Sequence, residues 1–427
     1  MKIRHIRSRL IAISRGIVDR TGWTEIAVDR ALRSVRSGTS RHVLIAPPGA
    51  GNIGDQAMVE AFVAAADREV IVVSRGQQDF VIPAAMVEKA SLHALPGLFY
   101  GQGTNHRADL RRLAILVDGA ATVSIIGADI MDGVYVQRPS LRRSAIAAAC
   151  ARAGIDTSVI GFSWSSKATP QARRALRRAG AAGARLLLRD PASAGRVRSL
   201  GVAGVVETAD IVFTDDRRDD AAAEAILQGI DGPVALVNAS GLIARSVDQV
   251  PEYAAVIRHL RGRGLSVILL PHVLRETADD RSACRAIFDV VDQDGVRLVD
   301  EPLSPSTIRA LAAVAQVTIT GRMHLAIMSL AQGTPAVTLA TQGKVEGLMS
   351  LFDWPELCVA PAPGMAEDII RVVDVALDAA DTATRIRRGA EKARDLAKAN
   401  VSRIGGDTGR TAGVAESGGR RWAQQTD

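Results

Sequence analysis

The sequence is poor in aromatic residues, lysine and cysteine, and it contains no long apolar run. Each scarcity excludes something. Aromatics make up 3% of the 427 residues, too few for a platform on which bases could stack, so no nucleic-acid partner is expected. The core must then be built from Ala, Val, Leu and Ile. The cysteines Cys150, Cys284 and Cys358 are odd in number, far apart and without Cys-x-x-Cys spacing. That speaks against a disulfide framework or zinc site and for a reducing compartment. No uninterrupted apolar stretch approaches the roughly 18–20 residues needed to cross a bilayer, and the basic N-terminus lacks the apolar core and small-residue cleavage site of a signal peptide. A cytoplasmic location is expected. Neither a metal nor a cofactor is expected, because no His/Asp/Glu cluster has ligand spacing.

What is present is a globular composition, 47% apolar and 23% charged, in a chain long enough for two domains. The net charge of +7 is concentrated at one end. Residues 1–40 carry nine Lys/Arg against three acids, interleaved with Ile6, Leu10, Ile11, Ile13, Ile17 and Val18. This segment either packs on the body as a basic helix or touches an anionic membrane surface peripherally.

From His42 onward, short aliphatic runs alternate with helical stretches, the pattern of a parallel sheet. The runs predict strands at His42–Ala46, Val70–Val73, Thr122–Ile126, Thr157–Ile160 and Arg185–Leu188. A second set is predicted at Val234–Val237, Val267–Leu270, Val296–Val299, Val317–Thr320 and Ala336–Leu339. Between the sets, the polar stretch from Thr214 to Asp220 breaks the rhythm. The expected organisation is a basic extension over 1–40, a Rossmann-like domain over 41–215, a second over 216–400 and a flexible tail over 401–427. The fold class is α/β, with two such domains facing across a cleft, so functional residues should follow strands.

The first strand runs into Gly49-Ala-Gly-Asn-Ile-Gly54, which formally matches the dinucleotide fingerprint G-x-G-x-x-G. The second strand ends Val73-Ser74-Arg75 instead of in the acidic residue that ribose hydroxyls need, which disfavours that cofactor. An open glycine loop that admits substrate, with Asn52 and Asp55 offering hydrogen bonds to a hydroxylated acceptor, stands beside a plain strand-to-helix turn capped by Asp55.

In the second half, strand Val317–Thr320 leads through Gly321-Arg322-Met323-His324 into an apolar helix. Arg322 and His324 therefore sit at a helix N-terminus, where free N–H groups and the dipole favour an anion. One βα unit later the chain reaches Lys344 on the same sheet edge. Only six of the 53 basic side chains are lysine, so a lysine on a glycine-flanked loop is not the default choice. His272, after strand Val267–Leu270, is a second candidate for activating a hydroxyl, or a strand-end histidine bonded to backbone.

The block Gly-Arg-Met-His-Leu-Ala-Ile-Met-Ser-Leu-Ala-x-Gly-Thr-Pro-Ala-Val, with a lysine 20 residues beyond the histidine, resembles the polysaccharide pyruvyl transferase family. Gly51-Asn-Ile-Gly-Asp55, Leu188-Arg189-Asp190 with Ala209-Asp210 beyond, and Leu270-Pro271-His272 resemble its other segments in order. The resemblance implies a fold similar to the glycosyltransferase-B arrangement. It implies phosphoenolpyruvate as donor, and a cell-surface glycan or its lipid-linked precursor as acceptor, joined as a pyruvate ketal. Arg189, Arg322 and Lys344 would then bind the donor and His324 would act as general acid. The family often shows a glycine triplet where this chain reads Ile126-Gly127-Ala128-Asp129-Ile130-Met131-Asp132, so Asp129 and Asp132 are expected at the acceptor. The competing readings are a nucleotide-sugar-dependent glycosyltransferase of the same architecture and a non-catalytic anion-binding protein.

Overall fold

The computed structural model describes residues 23–275, 279–340 and 343–405. The expectations for 1–22 and 406–427 lie outside the described residues. Strands form where the sequence carries unbroken aliphatic runs, because a parallel strand covered by helices is buried on both faces. The first sheet contains β1 (His42–Ile45), β2 (Val70–Ser74), β3 (Ala90–Ala94), β4 (Thr122–Ala128), β5 (Asp156–Phe162), β6 (Arg185–Leu188) and β7 (Val205–Glu207). Their spatial order is β3-β2-β1-β4-β5-β6-β7, with every pair parallel.

The second sheet contains β8 (Val234–Asn238), β9 (Ser266–Leu269), β10 (Val296–Leu298), β11 (Ala315–Thr320), β12 (Ala336–Leu339) and β13 (Cys358–Val359). Their order is β10-β9-β8-β11-β12-β13, again parallel throughout. Each sheet is thus a doubly wound Rossmann-like lobe. The strands that the aliphatic pattern did not indicate, β3, β7 and β13, all lie at sheet edges. A half-covered edge needs no continuous apolar run: β3 reads Ala-Ser-Leu-His-Ala and is mostly half-buried.

Helices start where a side chain can accept the free N–H groups of a first turn. Thr169 caps Pro170–Ala181, Asp190 caps Pro191–Ser199 and Ser304 caps Pro305–Val314, each with proline just inside the start. The helix Trp23–Leu32 packs on Gln137–Arg152, burying Val28 and Leu32 and pairing Asp29 with Arg152 and Glu25 with Arg178. Among the described residues, no helix is long and apolar enough to cross a membrane.

The lobes share a core. The helix Ile53–Ala65 buries Met58 and Phe62 completely, and its face continues into the apolar cluster of the second lobe. Each such side chain contributes roughly 1.5–3 kcal/mol of burial. The Asp215–Asp220 run lies between the sheets with several of its charges engaged. Asp215 accepts from Arg309 at 2.9 Å, both essentially unexposed, while Arg217 pairs with Asp215 at 2.6 Å and Glu60 at 3.5 Å. The last helix, Thr382–Val401, returns to the first lobe, where Asn400 Nδ2 donates to the Ala209 carbonyl.

Candidate active site between the lobes

In each sheet the strand order reverses direction, between β1 and β4 and between β8 and β11. Open α/β sheets bind ligands at the carboxyl side of this switch point. Asn52 and Asp55 follow β1, Asp129 and Asp132 follow β4, and Arg322 and His324 follow β11. The side chains after the strands of one lobe meet those of the other.

Five side chains form a chain across the cleft. The Arg189 guanidinium, 3% exposed, donates Nη1 to Asp210 at 2.9 Å, Nη2 to Asp129 at 2.5 Å and Nε to Ser163 Oγ at 2.9 Å. Lys344 Nζ, from the second lobe, donates to the other Asp129 oxygen at 2.5 Å. His324 Nε2, also from the second lobe, stands 3.4 Å from Asp210 Oδ2. Burial raises the Asp210 carboxyl, but His324, Arg189 and the Val212 N–H outweigh it and hold the pKa at about 2. Asp129 is likewise desolvated, yet Lys344 and Arg189 bring it well below the usual carboxylate range.

The backbone explains Asp129. Ala128, just before it, adopts φ 44°, a left-handed conformation that a glycine takes freely and an alanine only with strain. A Cβ on Gly127 would come within 2.6 Å of the Phe162 Cβ. The glycine triplet common in the resembled family therefore answers a steric demand that this chain meets with two glycine-like positions and an aspartate.

Arg322 does not join this chain. Its Nε is 3.0 and 3.1 Å from the two oxygens of Asp280, a side chain with no exposure, and Nη2 donates to Asp280 at 2.5 Å. Asp280 also accepts from Asn238 Nδ2 and from the N–H groups of Gly241, His272 and Val273, so one carboxylate organises the ends of β8, β9 and β11. His272 is 1% exposed, and among the described residues neither ring nitrogen has a partner. Burial, and then His324 and Arg322 nearby, push its pKa well below the ordinary histidine value, so it is a neutral imidazole enclosed by the lobes.

The glycine loop is not open. Asn52 caps the helix Ile53–Ala65 by accepting from Gly54 N at 3.1 Å. Asp55 accepts from Gly49 N at 3.1 Å and from Arg275 Nη2 at 2.9 Å. Burial raises the Asp55 carboxyl, with Arg275 and His324 opposing. Segment 272–275 of the second lobe zips onto this loop: Leu274 N donates to the Gly51 carbonyl at 2.7 Å and Ile53 N to the His272 carbonyl at 3.2 Å. A Cβ on Gly51 would meet the Leu274 carbonyl at 2.8 Å, and one on Gly54 would overlap the His324 ring. The glycines admit the other lobe, where the sequence had suggested room for a substrate.

Asp132 accepts from Val134 N at 3.0 Å and lines, with Asp129 and Lys344, a cavity of about 330 Å³ at the carboxyl ends of β4 and β5. Beside the chain of charges, the helix Met323–Ala331 begins at Arg322 with no side-chain cap, leaving its first-turn N–H groups for another acceptor. Among the described residues, no group of three or more His, Cys, Asp or Glu is arranged to hold a metal. Asp280 and Arg275 were not visible as site residues in the sequence. Asp280 follows Asp279, which does cap the helix, so the pair reads as ordinary capping chemistry. Asp210 was visible only through the Ala209-Asp210 segment.

A family model described as Polysaccharide pyruvyl transferase matches residues 52–343. No curated protein matches the sequence significantly. Among solved structures, the chain is similar to UDP-GlcNAc 2-epimerase from Neisseria meningitidis bound to UDP-GlcNAc (12% identity, TM-score 0.55, 86% of this chain and 99% of that one). It is similar to the Methanocaldococcus jannaschii UDP-GlcNAc 2-epimerase (9%, 0.54, 80% and 94%) and to the glycotransferase of kitacinnamycin (14%, 0.50, 85% and 99%). These likenesses show the glycosyltransferase-B-like, transferase-type fold.

They also correct the expected chemistry. The similar structures are nucleotide-sugar epimerases and a glycosyltransferase, which overturns phosphoenolpyruvate as donor, a glycan or lipid-linked sugar as its acceptor, and a pyruvate ketal as product. The geometry gives a physical reason. Arg189, Lys344 and Arg322, the three cations expected to hold that donor, are each paired with protein carboxylates.

Proposed function

We propose that this chain, which belongs to the polysaccharide pyruvyl transferase family, is a nucleotide-sugar-dependent glycosyltransferase of glycosyltransferase-B type. The observation that carries the reading is the uncapped start of the Met323–Ala331 helix at the β8–β11 switch point, with His324 on its first turn facing Asp210. The phosphate groups of a nucleotide sugar are ligands that such a helix start can accept. The N. meningitidis epimerase, which shares the fold, was solved with UDP-GlcNAc, and this supports the same ligand class here.

In the transfer, an acceptor hydroxyl attacks the anomeric carbon, the bond from that carbon to the diphosphate oxygen breaks, and the hydroxyl proton must leave. His324 takes that proton. Asp210 orients the ring and stabilises the imidazolium that forms. Charge developing on the departing diphosphate is met by the helix N-terminus. Arg189 holds Asp210 and Asp129 in place.

The test is to follow UDP release from a panel of UDP-sugars with a hydroxylic acceptor mixture. His324→Ala is expected to lower kcat by about 10²–10⁴-fold. Full turnover by that variant contradicts the assigned role, and absence of turnover with every nucleotide sugar contradicts the reading itself.

A further inference from the structure

The cavity between β4, β5 and the start of the Lys344–Ser350 helix is not explained by the diphosphate site. It shares Asp129 and Lys344 with the chain of charges, and Asp129 lies near enough to His324 to be stabilised by it. The cavity therefore opens beside the group proposed to move the proton. Its lining includes several hydroxyls: Ser163, Ser165, Ser166 and Ser193 join Asp132, and among the described residues the buried Ser165 hydroxyl has no hydrogen-bond partner. Hydroxyls and a carboxylate converging on a small cavity suit the hydroxyls of a sugar ring.

The mouth is built differently. Val134, Tyr135 and Val136 are consecutive apolar or aromatic side chains, 45–51% exposed. Large apolar groups clustered at the rim of a polar cavity mark a binding surface. Tyr135 also lines the cavity, near Asp129 and Asp132, and is an aromatic side chain of the kind that packs on the C–H side of a pyranose.

Charge decides which sugar. Asp129 is already engaged by Lys344 and Arg189. Asp132 accepts from the N–H groups of Val134 and Ser165. Two further cations line the cavity, and among the described residues neither meets an acid. There Lys167, which is exposed, makes no ion pair, and Arg196 donates to the Trp164 carbonyl at 2.9 Å. Elsewhere in the cleft, Arg189, Arg275, Arg322 and Lys344 are each paired with carboxylates. Lys167 and Arg196 differ from these four in making no ion pair among the described residues.

We infer that this cavity is the glycosyl subsite and that it selects a sugar bearing a carboxylate, so the donor is a nucleoside-diphosphate uronate. The inference rests on the nucleotide-sugar reading and adds the identity of the sugar. The diphosphate lies at the Met323–Ala331 helix, the pyranose ring lies against Tyr135 with its hydroxyls toward Asp132 and the serines, and the carboxylate reaches Lys167 and Arg196. Charge-assisted hydrogen bonds of this kind are roughly twice as strong as neutral ones.

Calorimetric titration with UDP, UDP-glucose and UDP-glucuronate separates the two layers of the argument. The wild-type protein is expected to bind UDP-glucuronate about tenfold more tightly than UDP-glucose. In Lys167→Ala and Arg196→Ala the ratio of the two dissociation constants is expected to fall toward one. Thermal melts confirm that each variant is folded. Equal affinity for the two sugars in the wild type, or a preference that both variants keep, overturns the uronate subsite while UDP binding upholds the broader reading. Failure of UDP itself to bind overturns both.

Discussion

Replacing Asp210 with asparagine removes the charge at the centre of the cleft network while keeping the shape of the side chain. The carboxylate is 3% exposed, 2.9 Å from an equally buried Arg189, and it accepts from Val212 N at 3.1 Å. Two routes give the cost. Its pKa falls from 3.8 to about 2 on folding, which at roughly 1.4 kcal/mol per unit corresponds to about 2–3 kcal/mol at neutral pH. Stranding one partner of a buried ion pair costs about 3–5 kcal/mol, and the low end applies because Arg189 keeps Asp129 at 2.5 Å. Asp210→Asn should therefore lower stability by about 2–3 kcal/mol, read from urea unfolding at pH 7. Because the folded pKa is depressed, this contribution is fully present above pH 3.8 and is lost as pH falls through about 2. The gap between wild type and variant should close over that window. A loss below about 0.5 kcal/mol at pH 7, the range of an ordinary surface substitution, or a gap unchanged at pH 2, refutes the account of the network.

Two further outcomes are expected. Gly54→Ala gains about 1 kcal/mol of helix propensity, yet its Cβ overlaps the His324 ring. Turnover should drop about 100-fold with little change in the urea midpoint, and unchanged turnover would remove His324 from the chemistry. His272 is held neutral, with its folded pKa well below 6.5. The unfolded chain therefore takes up the extra proton, and stability, fully present above pH 6.5, falls as the pH drops below it. His272→Leu should flatten that decline by up to about 1.4 kcal/mol per pH unit, and an unaltered slope would place the acid sensitivity elsewhere, at His42 or His106, whose pKa values are also lowered.

The fold was largely legible because buried parallel strands must be aliphatic. Arg185–Leu188 and Ala336–Leu339 appear in the structure with the boundaries that the pattern suggested. The edge strands were not legible, since β7 and β13 are two or three residues long and carry no run. At the site, the carboxyl-end rule pointed to His324 and Lys344, and the family resemblance added Arg189 and Asp129. It could not show that Arg322 turns to Asp280 or that Arg275 closes the glycine loop, because both depend on which loops meet across the lobes. Nor could a list of cations reveal their neutralisation. That depends on carboxylates distant in sequence, Asp129 from Lys344 above all, and the expectation of a free anion pocket failed there.

The most direct test of the central claim is calorimetric titration of the wild-type protein with UDP and, separately, with phosphoenolpyruvate, each repeated with His324→Ala. The account predicts saturable one-to-one binding of UDP that weakens in the variant, and no measurable binding of phosphoenolpyruvate. Saturable binding of phosphoenolpyruvate with none of UDP would contradict it.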